Sequence, residues 1–122
     1  NKQLKTKDLL KPIKSVNGDL IRDIDSFDSF DTDEGWIGTL TSKGGIKNGK
    51  GYKIYLNSSS QLKYSGLLLK GEQVKVDLVK GWNWIGYIGF KNMPINQALA
   101  GFSDVSNGDI IKNLNQGTSV IN

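Results

Sequence analysis

Two short segments of this chain of 122 residues repeat one another 90 positions apart: Asn17-Gly18-Asp19-Leu20-Ile21-Arg22 and Asn107-Gly108-Asp109-Ile110-Ile111-Lys112. Leu9 falls on Leu99 at the same offset. Each copy joins an Asn-Gly turn to an apolar pair, the pattern of a tight turn opening a strand. A period near 90 exceeds the roughly 20 to 50 residues of solenoid units and suits tandem whole domains. The Leu20-Ile21 and Ile110-Ile111 segments are therefore predicted to occupy equivalent strands.

Tryptophan spacing extends the pattern. Trp36 follows Asn17 by 19 residues, so its next counterpart is expected near position 126, and the counterpart of Trp82 falls before residue 1. The chain is thus expected to be one domain over 1–122, holding the back half of one repeat (1–66) and the front half of the next (67–122). Two such halves close on each other as a permuted unit or exchange strands with neighbouring molecules. The start at Asn1, without Met, suggests an excised piece of a longer protein.

The segments between these landmarks read mainly as strands and turns. Thr6 to Lys11 looks like a capped helical turn stopped by Pro12, with Leu9, Leu10 and Ile13 inward. The spacing of three among Ile24, Phe27 and Phe30 breaks strand alternation and predicts a bulge or interruption. Trp36 to Leu40 is expected to be a strand with Trp36, Gly38 and Leu40 on one face. Tyr52-Lys53-Ile54-Tyr55-Leu56 alternates, and with Gln61 to Tyr64 it reads as a hairpin. Val74 to Leu78 alternates as well, followed by Trp82, Trp84 and Gly86 on one face. Ile95, Leu99 and Phe102 change to helical spacing, which predicts a short helix over 94–101. Fifteen glycines against two prolines agree with a protein of many tight turns. The fold expected is mainly β, a small antiparallel β-sandwich or barrel with one or two short helices, built from two related half-repeats.

Composition removes several functional classes. With no histidine and no cysteine, neither a Ser-His-Asp nor a Cys-His apparatus can be built, and thiolate metal sites and disulfides are excluded. No run approaches the roughly 18 apolar residues of a membrane span, so no membrane insertion is expected. Gly44 to Gly51 nearly spells a phosphate-binding loop, but Gly51 replaces the Ser or Thr that would hold magnesium, and a strand follows where a helix is needed. Seven of the twelve acids lie between Asp19 and Glu34, yet Gly35 and Ser42 break the calcium-loop spacing that begins at Asp31. Those acids also show no apolar pocket to raise one of a carboxylate pair for glycoside hydrolysis, and they oppose nucleic-acid binding. A catalytic role, a cofactor and a metal are not expected.

The order Gly-Trp-Asn-Trp-Ile (81–85), short helix (94–101), Gly-Asp-x-Ile-Lys (108–112), Gly-Trp-Ile-Gly-Thr-Leu (35–40) and Gly-Lys-Gly-Tyr-x-Ile (49–54) resembles a module tandemly repeated in large secreted and surface proteins of Bacteroidetes-type bacteria. That resemblance implies an extracellular, non-catalytic β module, beside adhesion or carbohydrate-active domains. From the residues themselves, aromatic faces flanked by lysines suit acidic or sulfated glycans, and the expected ligand-binding set is Tyr52, Tyr55, Lys47, Lys50, Lys53, Trp82 and Trp84. Core burial competes for the tryptophans: Trp36 and at least one of Trp82 and Trp84 are expected inside, which leaves Tyr52, Tyr55 and the lysines of the 43–53 loop as contacts. Polysaccharide or a cell-surface glycan, together with neighbouring domains, are the expected partners. A structural spacer without a ligand is the alternative.

Overall fold

The computed structural model describes residues 4–62, 76–86, 92–102 and 104–119. It divides into two compact units, Asn1–Gly89 and Phe90–Asn122. It is mainly β, with one four-stranded antiparallel sheet, a two-stranded sheet and single-turn helices.

In the first unit, α1 (Thr6–Leu9) leads to β1 (Leu20–Arg22), β2 (Phe27–Asp31), β3 (Gly35–Gly38), α2 (Thr39–Ser42) and β4 (Lys53–Tyr55). The sheet order is β3-β2-β1-β4. The β1–β2 hairpin forms because Asp23 closes its turn: one carboxylate oxygen accepts the Asp25 and Ser26 N–H groups and the Ser26 hydroxyl at 2.7 to 2.9 Å. This turn is the break that the spacing of Ile24, Phe27 and Phe30 predicts.

Strand alternation sends Ile21 inward, where it packs with Leu10, Ile13, Trp36 and Leu40. Phe30 meets Trp36 edge to face, with ring centroids 5.6 Å apart. Leu9, Tyr52 and Leu56 border this core, in keeping with the α1 reading and the alternation of 52–56, although Ile54 between them stays exposed. Among the described residues the buried apolar side chains are the five of this cluster, Leu10, Ile13, Ile21, Trp36 and Leu40, and further order comes from buried carboxylates. Asp28, fully buried, accepts the Thr6 and Thr41 hydroxyls and the Thr41 N–H, joining α1 and α2 to β2.

That buried acid explains two departures from expectation. Thr6 does not cap α1: Lys5 holds the cap position without a side-chain bond, and the Thr6 hydroxyl goes to Asp28 instead. The strand from Trp36 does not run to Leu40. It ends at Gly38, whose φ of +151° turns the chain so that Thr41 reaches Asp28 and Leu40 enters the core from a helical turn. A Cβ on Gly38 would meet the Phe27 carbonyl oxygen at 2.2 Å, so this turn has room only for glycine.

The second unit holds α3 (Ile95–Ala98), β5 (Ile110–Lys112) and β6 (Gly117–Ser119). The helix is a single turn at the predicted place; Leu99 beyond it is half-buried, whereas Ile95 and Phe102 are exposed. The β5–β6 hairpin pairs Ile110 with Ser119, Ile111 with Thr118 and Lys112 with Gly117. In the first hairpin the pairs are Leu20 with Ser29, Ile21 with Asp28 and Arg22 with Phe27. Every partner is displaced by the same 90 residues, so Leu20-Ile21 and Ile110-Ile111 occupy strands of the same register.

Two further strand expectations meet the limits of the described residues. Of the strand expected over Val74 to Leu78, Val74 lies outside them, and Val76 to Leu78 are described and form no strand. Lys63 and Tyr64 of the hairpin expected after Leu56 also lie outside, and the β4 strand pairs with β1.

Candidate binding face

The outer surface of β1 and β4 carries two of the expected contact residues, Lys53 and Tyr55. Because Ile21 points inward, Leu20 and Arg22 face outward, and the antiparallel register sets Tyr55 opposite Leu20 and Lys53 opposite Arg22. The tryptophan segment lies across this end of the sheet. It is held by two backbone bonds, from the Gly51 N–H to the Trp84 carbonyl at 3.0 Å and from the Gly86 N–H to the Gly49 carbonyl at 2.9 Å. Gly51 permits the approach, since a Cβ there would stand 3.0 Å from the Ile85 carbonyl oxygen.

So placed, the Trp84 ring lies 5.0 Å from the Lys53 ammonium and 5.8 Å from the Arg22 guanidinium, both at cation–π distance. Arg22 is further engaged at the hairpin turn, donating to the carbonyls of Asp23 at 3.1 Å and Ile24 at 3.5 Å. Trp82 stands out at the tip of a turn fixed by Asn83, whose side chain accepts the Val79 N–H and donates to the carbonyls of Val79 and Gly81. Trp82 and Tyr55 are 61% and 62% exposed, open to solvent over most of their surface.

Of the three tryptophans, Trp36, at 8% exposure, belongs to the core. The expectation that Trp82 or Trp84 would join it is corrected: Trp82 is exposed, and Trp84 is half-buried beside the two cations. The physical reason is that the segment is attached through Gly49 and Gly51 at the periphery, away from the cluster around Ile21.

Lys47, Lys50 and Tyr52 occupy a separate place in the same unit, lining a cleft of about 150 Å³ with Asp23, Asp25 and Lys43. Tyr52 is half-buried, and its hydroxyl accepts the Lys47 N–H at 2.9 Å, so its ring is no open platform. Burial raises the Tyr52 phenol above its ordinary value and the Asp23 charge adds to this, against the opposing Lys47 N–H. Burial would likewise raise Asp23, but the Ser26 and Asp25 donors and the Lys50 charge outweigh it and hold the carboxyl low. Asp23 is therefore an ionised turn anchor at neutral pH, far from the range of a general acid. Lys50 connects the two places, since its backbone is the bridge partner of Ile85.

The acidic run is structural in its described bonds. Asp31 closes the β2–β3 turn by accepting the N–H groups of Asp33 and Glu34. Among the described residues no group of three acidic side chains is disposed to hold a metal ion, and no helix is long and apolar enough to cross a membrane. Arg22 and Asn83, which orient the two tryptophans, were not among the expected site residues; the Asn between the tryptophans was the visible signal. No family model matches the chain, nor does any curated protein or solved structure.

Proposed function

We propose that the first unit is a non-catalytic module that binds carbohydrate or mediates adhesion, as part of a secreted or cell-surface bacterial protein. One observation carries this reading: the Lys53 ammonium stands 5.0 Å from the Trp84 ring, and the rings of Tyr55 and Trp82, each two positions along the chain from one of them, are open to solvent. Sugar C–H groups, being electron-poor, lie against the negative faces of such rings, and an acidic or sulfated sugar adds a charge-assisted contact to Lys53. The ligand class is thus an anionic polysaccharide or cell-surface glycan. Lys47 and Lys50 on the neighbouring cleft raise the local positive potential without being required for stacking.

In the parent protein such units, each a small β-sandwich or barrel, stand in tandem beside other domains. The equal registers of the two hairpins favour a second reading, a spacer that holds those domains apart and has no ligand. Glycan-array binding separates the two. The chain retains anionic glycans on the array, Trp82→Ala and Tyr55→Ala each lose at least about tenfold in affinity, equivalent to about 1.4 kcal/mol, and both variants keep the wild-type fold. An array without a single bound glycan leaves the spacer.

A further inference from the structure

The second unit repeats the backbone and carboxylate or amide turn bonds of the first over its described hairpin. The Asp19 N–H donates to the Val16 carbonyl at 3.0 Å, and the Asp109 N–H to the Ser106 carbonyl at 3.1 Å. The Val16 N–H donates to the Asp19 carboxylate at 2.9 Å, and the Ser106 N–H to the Asp109 carboxylate at 2.8 Å. Asn113 then anchors the next turn through the N–H groups of Asn115 and Gln116, as Asp23 does through those of Asp25 and Ser26. The offset is 90 residues at each of these donors and acceptors.

What differs is the surroundings. In the first unit β3 pairs with β2, β4 pairs with β1, and Trp36 and Leu40 cover Ile21. Asp19 then closes this assembly: its second oxygen accepts both the backbone N–H and the side-chain amide of Asn57, each at 2.9 Å. In the second unit the sheet contains only β5 and β6 among the described residues. Ile110 is 58% exposed, whereas Leu20, its counterpart, is half-buried. Asp109 makes the Ser106 bond with one oxygen, and no described residue meets the other as Asn57 meets Asp19. Among the described residues, Asp109 is held in the same turn as Asp19 without the Asn57 contact that closes the first assembly.

We infer that the β5–β6 hairpin is a docking surface for a further stretch of polypeptide of the Gly35–Asn57 kind, a strand, a helical turn and a second strand ending in asparagine. Its first strand pairs with β6 as β3 pairs with β2, and its second pairs with β5 as β4 pairs with β1. Its tryptophan and leucine cover Ile111, and its terminal asparagine bonds to Asp109. The structural unit that repeats is then 1–89, with the tryptophan segment as its closing piece, and 90–122 is the opening of another copy. This inference stands independently of any glycan.

The test appends residues 33–62 of the same sequence after Asn122 of the full chain and follows backbone amide exchange. The amides of Ile111 and Thr118 exchange at least a hundredfold more slowly than in the unextended chain, and Asp109→Ala or Ile111→Asp in the extended chain removes at least nine-tenths of that slowing. The amide of Ile21 in the first unit serves as the internal control for folding and keeps its rate throughout. An appended segment that leaves Ile111 exchange unchanged overturns the inference, as does equal slowing by a scrambled segment of the same composition.

Discussion

Asp19 and Asn57 meet through a paired contact in which one Asp19 carboxylate oxygen accepts the Asn57 backbone N–H and its side-chain amide, both at 2.9 Å. The two residues are 38 positions apart, and the contact ties the start of β1 to the chain just past β4. Asp19 is 2% exposed, so removing its carboxylate leaves the Val16 and Asn57 donors buried or partly buried without an acceptor. Asp19→Ala is expected to cost about 3 kcal/mol, by the penalty for losing hydrogen bonds to a charged group. Urea unfolding at neutral pH measures it, with Asn57→Ala losing less because the backbone N–H remains.

Acid should unfold the first unit through the same residue. Burial by itself raises the Asp19 carboxyl, but the Asn57 and Val16 N–H groups and the Asn57 amide outweigh it and hold the native value below the ordinary 3.8. Asp23 is held below 3.8 as well, against burial, by Ser26, Asp25 and Lys50. A carboxyl whose native value is depressed contributes stability that is complete above its unfolded value and is lost as pH falls through the native one. The urea midpoint is therefore expected to be flat from pH 7 to about pH 5 and to fall steeply below about pH 4. Asp19→Asn flattens that fall, and a midpoint that drops equally in wild type and variant contradicts it.

Two glycines in one strand separate steric need from conformational preference. Gly35 and Gly38 bound β3, and both have positive φ, +81° and +151°. A Cβ on Gly35 meets nothing within 4 Å, so Gly35→Ala is expected to cost only the left-handed strain of about 1 to 2 kcal/mol. On Gly38 a Cβ meets the Phe27 carbonyl oxygen at 2.2 Å and the Asp28 Cα at 2.9 Å, both backbone atoms that cannot rotate away. Gly38→Ala is expected to cost more than about 4 kcal/mol, in the range reserved for severe steric lesions. Thermal unfolding of the two variants gives the comparison directly, and equal losses would contradict the close packing at Gly38.

The strands were legible where side chains alternate over a hairpin: Leu20-Ile21, the spacing break before Phe27, and Tyr52 with Leu56 lie as their patterns demand. The repeat located the second hairpin because its Asn-Gly turn and the Asp that follows form a local unit whose bonds span only a few residues. Long-range polar contacts were not legible. Nothing near Thr6 or Thr41 in the sequence announces that both serve Asp28, 22 and 13 residues away, and that triangle is what ends β3 early. The tryptophans were legible as a set but not individually. Their depth depends on which backbone the segment pairs with, and two bonds to Gly49 and Gly51 decide it.

That difference in depth gives the last prediction, a graded response of the three tryptophans to truncation. Trp36 fills the core beside Ile21 and Leu40 and meets Phe30 edge to face, so Trp36→Ala is expected to cost about 3 to 5 kcal/mol, the range for large aromatic truncation in a core. Trp84 loses two cation–π contacts and part of its packing over the sheet; at about 0.5 to 1 kcal/mol for each exposed contact, Trp84→Ala is expected to cost about 1 to 2 kcal/mol. Trp82, exposed at the tip of the Asn83 turn, contributes little, and Trp82→Ala is expected to stay within about 0.5 kcal/mol of wild type. Chemical denaturation of the three single variants, followed by far-ultraviolet circular dichroism so that the lost indole does not alter the probe, ranks them. Arg22→Ala distinguishes the cause at Trp84: it removes one cation and the carbonyl bonds at the Asp23 turn together, so the double variant with Trp84→Ala loses less than the two single losses combined. A Trp82 loss as large as that of Trp36 would place the segment in the core and remove the open ring on which glycan stacking depends.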